Sequence, residues 1–431
     1  MSHSPNPAEP TGHNDLRSKP VHLRSTLLFV VCAFPALAGA APHPNAKVLA
    51  AVKVCEQSGR ELLERVVAID SGTGDVEGLN AVGAIYASEF KALGADVKAV
   101  APTPPAVGNN VVAALTGTGK GRIVLIAHMD TVFNRGDAAK RMPHWEGQHY
   151  VGPGAGDDKA GAVAAVCALK ALKAIGFADF ARIDVLLNSN EETGSSGTHD
   201  LIQSLARASD LVINLERGIP TDQVLVARKG DATLTAQFTG RAAHSGLEPE
   251  KGRNAVIEAA RFALSLEKLS DAARKTTVTV DILNGGDKVN VVPAHAELKA
   301  DVRAFTTDEL DRVEQAAAKL AASPSIDGVT IKTSMQRSFP PWPHNEHADR
   351  VIARANRLYA EIGRKVTPTE VGSSADVSYA AQTGTPSVDG FGIEGGDAHS
   401  VDDYADIGTL VPRVYLLTRL LMDVGHDPEG L

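Results

Sequence analysis

Three short strand-like segments, each opening on aliphatic residues, end alike: IVLIA (123–127) runs into His128-Met129-Asp130, VLLNSN (185–190) into Glu191-Glu192, and VINL (212–215) into Glu216. Unalternating aliphatic runs of this length suit strands buried on both faces, as in a parallel sheet covered by helices. In such sheets the carboxyl ends of the strands share one edge, where open α/β folds build their sites. A chain that plants imidazole and carboxylate at those ends therefore gathers them in one place.

The surrounding pattern agrees. Helical periodicity covers 47–68 and 79–93, β-rich segments follow at 95–100, 111–115 and 122–127, and an Ala-rich helix is expected over 158–175. Then come a strand over 181–190, a short helix near 197–207 and a strand over 210–215. This alternation predicts an α/β fold with a helix-covered, mainly parallel sheet. The order changes between about 229 and 337, where strand (232–240), helix (254–269), strand (276–285), strand (295–305), helix (307–322) and strand (328–336) follow one another. That β-α-β-β-α-β order is the ferredoxin-like split unit. A helix near 346–362, the strand PSVDGF (386–391) and a helix near 408–423 resume the first pattern. A chain of 431 residues exceeds one ordinary core. The organisation expected is a catalytic domain in two parts, 41–228 and 339–431, interrupted by an inserted domain, 229–338. No repeat of the solenoid or propeller kind appears after residue 45.

The first 40 residues have the pattern of a secretory signal: Arg24, an apolar stretch over 26–37, and the small-residue run Ala38-Gly39-Ala40-Ala41. Cleavage after Ala40 would leave a periplasmic or secreted protein. The apolar stretch is shorter than the roughly 20 residues of a spanning helix, and Pro35 interrupts it, so no stable membrane anchor is expected. With 52 acidic against 43 basic side chains, the chain lacks the basic excess that non-specific binding to nucleic acid or anionic membranes requires. Cys32, Cys55 and Cys167 form no disulfide framework and no C-x-x-C pair. A Cys55–Cys167 bond remains open in an oxidising compartment, but two isolated buried thiols are the preferred reading.

His128 and Asp130, two apart at a strand end, share a face, and a ligand imidazole commonly gives its second nitrogen to such a carboxylate. Gly152-Pro153-Gly154-Ala155-Gly156 leads into Asp157-Asp158-Lys159 at the start of the Ala-rich helix; these aspartates would serve as a helix cap or as ligands. A phosphate cradle is disfavoured, because the Walker spacing is absent and two aspartates would repel the phosphate. Glu191 and Glu192 raise each other's pKa unless a cation or separate tasks accommodate them, the alternative being a solvated loop. Glu216 ends its strand similarly, and His399 lies in the loop GGDAHS. Together these residues offer only oxygen and imidazole nitrogen, a set suited to zinc, cobalt or manganese. Two ions sharing one carboxylate would use five residues.

From about residue 46 to 424 the sequence resembles the di-zinc family that contains glutamate carboxypeptidases, acetylornithine deacetylases, succinyl-diaminopimelate desuccinylases and aminoacylases. The likeness is carried by IAHMDTV, GPGAGDDKAG, NEETGSSG, INLERG, RKGDATLTAQFTGRAAHSG, GRNAV, KVNVVPAHAELKADVR and GGDAHS, and in order and spacing it is nearest the secreted glutamate carboxypeptidase branch. The resemblance implies two zinc ions bridged by Asp157, with His128 and Glu216 completing one and Glu192 and His399 the other. It also implies Asp130 as the orienter of His128 and Glu191 as general base and acid. In the inserted domain it implies His244 reaching across a homodimer to polarise the scissile carbonyl, with Asn290, Arg303 and Arg337 holding a substrate carboxylate.

The implied activity is metal-dependent release of a C-terminal amino acid, glutamate among the candidates, from a small peptide or N-acyl amino acid. An N-acyl-amino-acid deacylase is the alternative. A non-catalytic binding protein on the same fold and a dinuclear phosphoesterase are more distant ones. Ala160 in place of the second glycine after D-D-K, Arg217-Gly218 after Glu216, and the glycine-poor GSSAD at 372–376 depart from the family pattern. They leave the ligand set intact.

Overall fold

The computed structural model describes residues 43–431; the secretory pattern and Cys32 lie outside the described residues. Helix α1 (Ala46–Val67) starts where the Asn45 side chain accepts the Val48 N–H at 3.2 Å, a standard N-cap. Its Val48, Val52, Cys55, Leu62, Leu63 and Val66, spaced by three, four or seven except for the adjacent leucines, form a buried stripe. Helix α2 (Val76–Leu93) is capped by Asp75 and ends at Gly94, whose φ of 94° is the left-handed conformation that closes helices.

Strands β1 (Asp96–Val100), β2 (Asn110–Thr116) and β3 (Arg122–His128) follow, then helix α3 (Ala160–Ala174), β4 (Arg182–Asn188), helix α4 (His199–Arg207) and β5 (Leu211–Asn214). Along β3, Ile123, Leu125 and Ala127 pack with α1 and α3, while Val124 and Ile126 pack with Ile202 and Ala206 of α4 on the other face. Apolar residues at every position are thus explained by burial on two sides.

After β5 the chain runs through β6 (Gln223–Arg228) into β7 (Gly230–Thr239), helix α5 (Ala255–Leu266), β8 (Thr277–Gly285), β9 (His295–Ala304), helix α6 (Thr307–Ala321) and β10 (Thr330–Arg337). These last four strands form an antiparallel sheet in the order β8-β9-β7-β10. Its strand and helix order is the one anticipated. Ala232, Leu234, Ala236 and Phe238 of β7 join Leu298, Ala300 and Val302 of β9 in a core separate from that of the main sheet. Their alternate neighbours form the opposite, polar face. The chain enters and leaves this sheet at one point: Asp231 N–H donates to Phe339 O at 3.1 Å and Ser338 N–H to Asp231 O at 3.0 Å.

Helix α7 (Glu346–Tyr359), β11 (Thr367–Val371), helix α8 (Val377–Ala381), β12 (Ser387–Val388) and helix α9 (Leu410–His426) complete the fold. The main sheet has the order β1-β2-β4-β3-β5-β12. Its β4, β3, β5 and β12 are parallel, and β1 and β2 form an antiparallel edge. This is the α/β architecture expected. Two features were not anticipated: the parallel pair β6–β11, and a small antiparallel sheet of His144–Glu146, His149–Val151, Tyr404–Asp406 and Gly395–Gly396.

Cys55 and Cys167 are bonded, with Cα atoms 5.7 Å apart, which corrects the preference for free thiols. Helices α1 and α3 lie side by side, close enough that a Cβ on Gly59 would stand 3.1 Å from the Cys167 sulfur. Nothing in a sequence separation of 112 reveals that proximity.

Candidate metal centre

Five of the singled-out side chains meet at the carboxyl ends of β3, β4 and β5. The Asp157 carboxylate stands in the middle: Oδ1 is 3.1 Å from His128 Nε2 and Oδ2 is 3.4 Å from His399 Nε2. Glu216 flanks His128 at 3.6 Å, and Glu192 flanks His399 at 3.1 Å. Glu191 joins the His128 side, with ligand atoms of His128, Glu191 and Glu216 all within 4.8 Å of one another.

Local sequence explains the approach. Gly156 abuts the carbonyl of Tyr404, where a Cβ would sit 2.4 Å from that oxygen. A Cβ on Gly161 would meet the Leu215 carbonyl at 2.2 Å, so only glycine lets α3 begin against the strand that delivers Glu216. His399 holds a left-handed φ of 64°, strain typical of residues aimed at a site.

The electrostatics of the set call for positive charge. Burial pushes Glu216 up to about 8, with Asp157 adding to the rise. Burial likewise raises Glu192 and carries Glu191 well above the usual carboxylate range. Burial also works to raise Asp157, but hydrogen bonds from His128 and His399 overcome it and hold that carboxylate well below the usual range. His399 is pushed up to about 10 by its bonds to Asp157 and Glu192. Four buried or half-buried carboxylates, with the Arg228 guanidinium 3.8 Å from Glu216, fit divalent cations, and the oxygen and imidazole donors suit zinc.

Asp130 meets His128 and also the loop that carries the two glutamates. His128 Nδ1 lies 2.9 Å from the Asp130 backbone carbonyl and 3.5 Å from its carboxylate. That carboxylate accepts the N–H groups of Glu191 (3.0 Å) and Glu192 (3.1 Å) and the Thr73 hydroxyl (2.7 Å). It therefore fixes the turn that presents both glutamates.

Sequence reasoning missed a second layer. Arg228, buried, donates to Asp389 and to Ser373 Oγ at 2.8 Å, and Asn214 donates to the same Asp389 at 3.1 Å. Asp376 accepts from Asn188 at 2.7 Å and from Ser195. The signal for Asp389 was present, since an acid inside the apolar run PSVDGF must be buried and paired.

A cavity of about 720 Å³ opens over Asp157, Glu191, Glu192, Glu216 and His399. Its far wall is the polar face of the inserted sheet, including Thr233, Thr235, Lys299, Arg303 and Gln336. Arg303 donates to Asp301 at 2.8 Å and lies 3.4 Å from Gly372 O.

The other three inserted-sheet candidates do not line this cavity. His244 is exposed, its Nδ1 accepting from Gly246 and Leu247 N–H at 3.1 and 3.2 Å, and Asn290 lies beside it, its carbonyl accepting the Ser245 N–H at 3.0 Å. Arg337 points to the helix side of its sheet, paired with Asp311 and Glu314. Strand alternation is the reason: Ser334, Gln336 and Ser338 face the cavity, while Ile331, Met335 and Arg337 share the other face.

The model for "Peptidase family M20/M25/M40" matches residues 124–423. Carboxypeptidase G2 of a Pseudomonas species is 34% identical over 366 residues, covering 84% of this chain and 88% of that one. Acetylornithine deacetylase of Myxococcus xanthus is 28% identical over 339 residues, covering 72% and 82%. A tripeptidase structure from Staphylococcus aureus superposes with a TM-score of 0.74 at 24% identity, covering 86% and 99%.

Proposed function

Because the chain belongs to peptidase family M20/M25/M40, we propose that it is a di-zinc exopeptidase releasing the C-terminal amino acid of a small peptide or N-acyl amino acid. The observation that carries this reading is Asp157, with one carboxylate oxygen beside His128 and the other beside His399. One cation would be held by His128, Asp157 and Glu216, the other by Asp157, Glu192 and His399; cobalt or manganese suits the same donors. When bound, such cations lower the pKa of an attacking water and polarise the amide carbonyl.

Glu191 carries the proton. Held well above the ordinary range, first by burial, it takes a proton as water adds to the carbonyl carbon. It returns that proton to the leaving nitrogen as the C–N bond breaks, giving a carboxylate and a free amine. Arg303, on the facing sheet, would grip the substrate's free carboxylate. His244 and Asn290 lie together outside their own chain's cavity, which favours their acting on a second protomer's site. The exposed edge strand β8, with Ile282 and Leu283 exposed, is a surface through which a homodimer would form. Arg337 is left out of the carboxylate grip.

Export to the periplasm or medium is supported by the secretory pattern and by the Cys55–Cys167 bond. Among the described residues no helix is long and apolar enough to cross a membrane.

Glu191→Ala should retain its metal and lose hydrolysis by about a hundredfold or more; full activity at normal metal content would refute the proton-carrier role. Mixing His244→Ala with Glu191→Ala chains should restore part of the activity, and its absence would refute action in trans. A deacylase, which the likeness to acetylornithine deacetylase favours, would use the same site and prefer simple N-acyl groups over peptides in a substrate panel.

A further inference from the structure

Arg217 follows Glu216 on the loop leaving β5 and lines the cavity. Every other arginine near the inserted sheet's connections is engaged: Arg228 with Asp389, Arg303 with Asp301, Arg337 with Asp311 and Glu314. Arg217 makes no hydrogen bond or ion pair among the described residues. Its backbone is nonetheless fixed. The next residue, Gly218, donates to Ile393 O at 3.0 Å, and a Cβ there would meet the Arg413 guanidinium at 2.2 Å. A guanidinium with an anchored base and an unengaged head, facing a cavity, is prepared for an external anion.

Its placement indicates which part of a substrate it meets. Arg217 directly follows Glu216 and lines the cavity together with Asp157, Glu192 and His399, so it belongs to the body wall beside the carboxylate cluster. Arg303 and Lys299 stand on the inserted sheet. We propose that Arg217 binds an anionic group on the acyl part of the substrate, so that the preferred substrate carries a carboxylate on each side of the scissile amide. This rests on the amide-hydrolase reading above, with Arg303 taking the carboxylate of the released amino acid. An acyl group ending in a carboxylate would otherwise be repelled by the glutamates it must pass, and a cavity of about 720 Å³ has room for it.

The test holds the released amino acid fixed and varies only the acyl group. For the metal-loaded protein, kcat/KM is measured on the N-succinyl derivative and on its neutral isostere, the N-succinamoyl derivative. The wild type should prefer the anion by about ten- to a hundredfold, the range of one charge-assisted hydrogen bond. Arg217→Gln should collapse that ratio toward one, mainly through KM, and Arg217→Lys should retain part of it. A wild-type ratio near one, or a ratio unchanged in Arg217→Gln, overturns the assignment while leaving the hydrolase reading intact. Hydrolysis of neither compound, nor of simple N-acetyl amino acids or dipeptides, overturns both.

Discussion

Replacing Cys55 and Cys167 together by alanine should lower stability by an amount the fold specifies. The bond closes a loop with a sequence separation of 112, for which restriction of the unfolded chain gives about 5 kcal/mol at 25 °C, within a usual range of about 2–5 kcal/mol. With an unfolding entropy of about 2.1 cal/mol/K per residue over residues 43–431, the melting temperature should fall by about 2 to 6 °C. Calorimetry of the double variant against the oxidised wild type measures the shift. Thiol titration in denaturant checks the premise: with Cys32 removed by cleavage after Ala40, the exported chain keeps Cys55 and Cys167, so it should show no reactive thiol without reductant and two after reduction. Two thiols without reductant, or an unchanged melting temperature in the double variant, would refute the reasoning.

Chelation should abolish hydrolysis, and zinc, cobalt or manganese should restore it. Since Glu216 is pushed up to about 8 by burial, binding of a cation near pH 7 should release protons. Titration calorimetry in two buffers of different ionisation enthalpy should therefore give different heats, and equal heats would contradict the assignment. Asp376 is pushed up to about 6 by burial, against the opposing bonds from Ser195 and Asn188. The folded state thus keeps a proton that the unfolded chain releases, so this contribution is intact below about pH 4 and is lost as pH rises to about 6. Urea midpoints across that window should fall less in Asp376→Asn than in the wild type; parallel profiles would exclude the group. Asp130→Asn leaves one acceptor oxygen for the three donors now bound and should reduce hydrolysis by about tenfold or more, as loss of a hydrogen bond to a charged group does, with little change in melting temperature. Wild-type rates would show that the Glu191–Glu192 turn holds itself.

Burial written into local pattern was legible in the sequence. Apolar runs ending in His128, Glu191 and Glu216 gave the strands, their shared edge and the cluster, and the 230–337 stretch gave its order of elements because each strand alternates and each helix has a stripe. Pairing between distant segments was not legible. The Cys55–Cys167 bond depends on α1 meeting α3, β11 meets β6 only in the folded chain, and Asp389 finds Arg228 across 161 residues. Arg337 was misplaced for a different reason: its resemblance outweighed an alternation already visible in TIKTSMQR, where it falls in step with Ile331 and Met335.

The hydrogen-bonded mouth at Asp231 and Phe339 brings two distant points of the chain together. All six residues of the carboxylate and imidazole cluster come from the body, whereas Arg303, Lys299, Asn290 and His244 come from the segment between those two points. A stretch that departs and returns at a single doorway can be excised with a short linker, or exchanged for that of a relative, without cutting a strand of the main sheet. Such a chimaera would keep the cluster and Arg217 of one parent and take Arg303, Lys299 and His244 from the other, so the part of the cavity wall that the inserted sheet supplies can change while the cluster stays as it is.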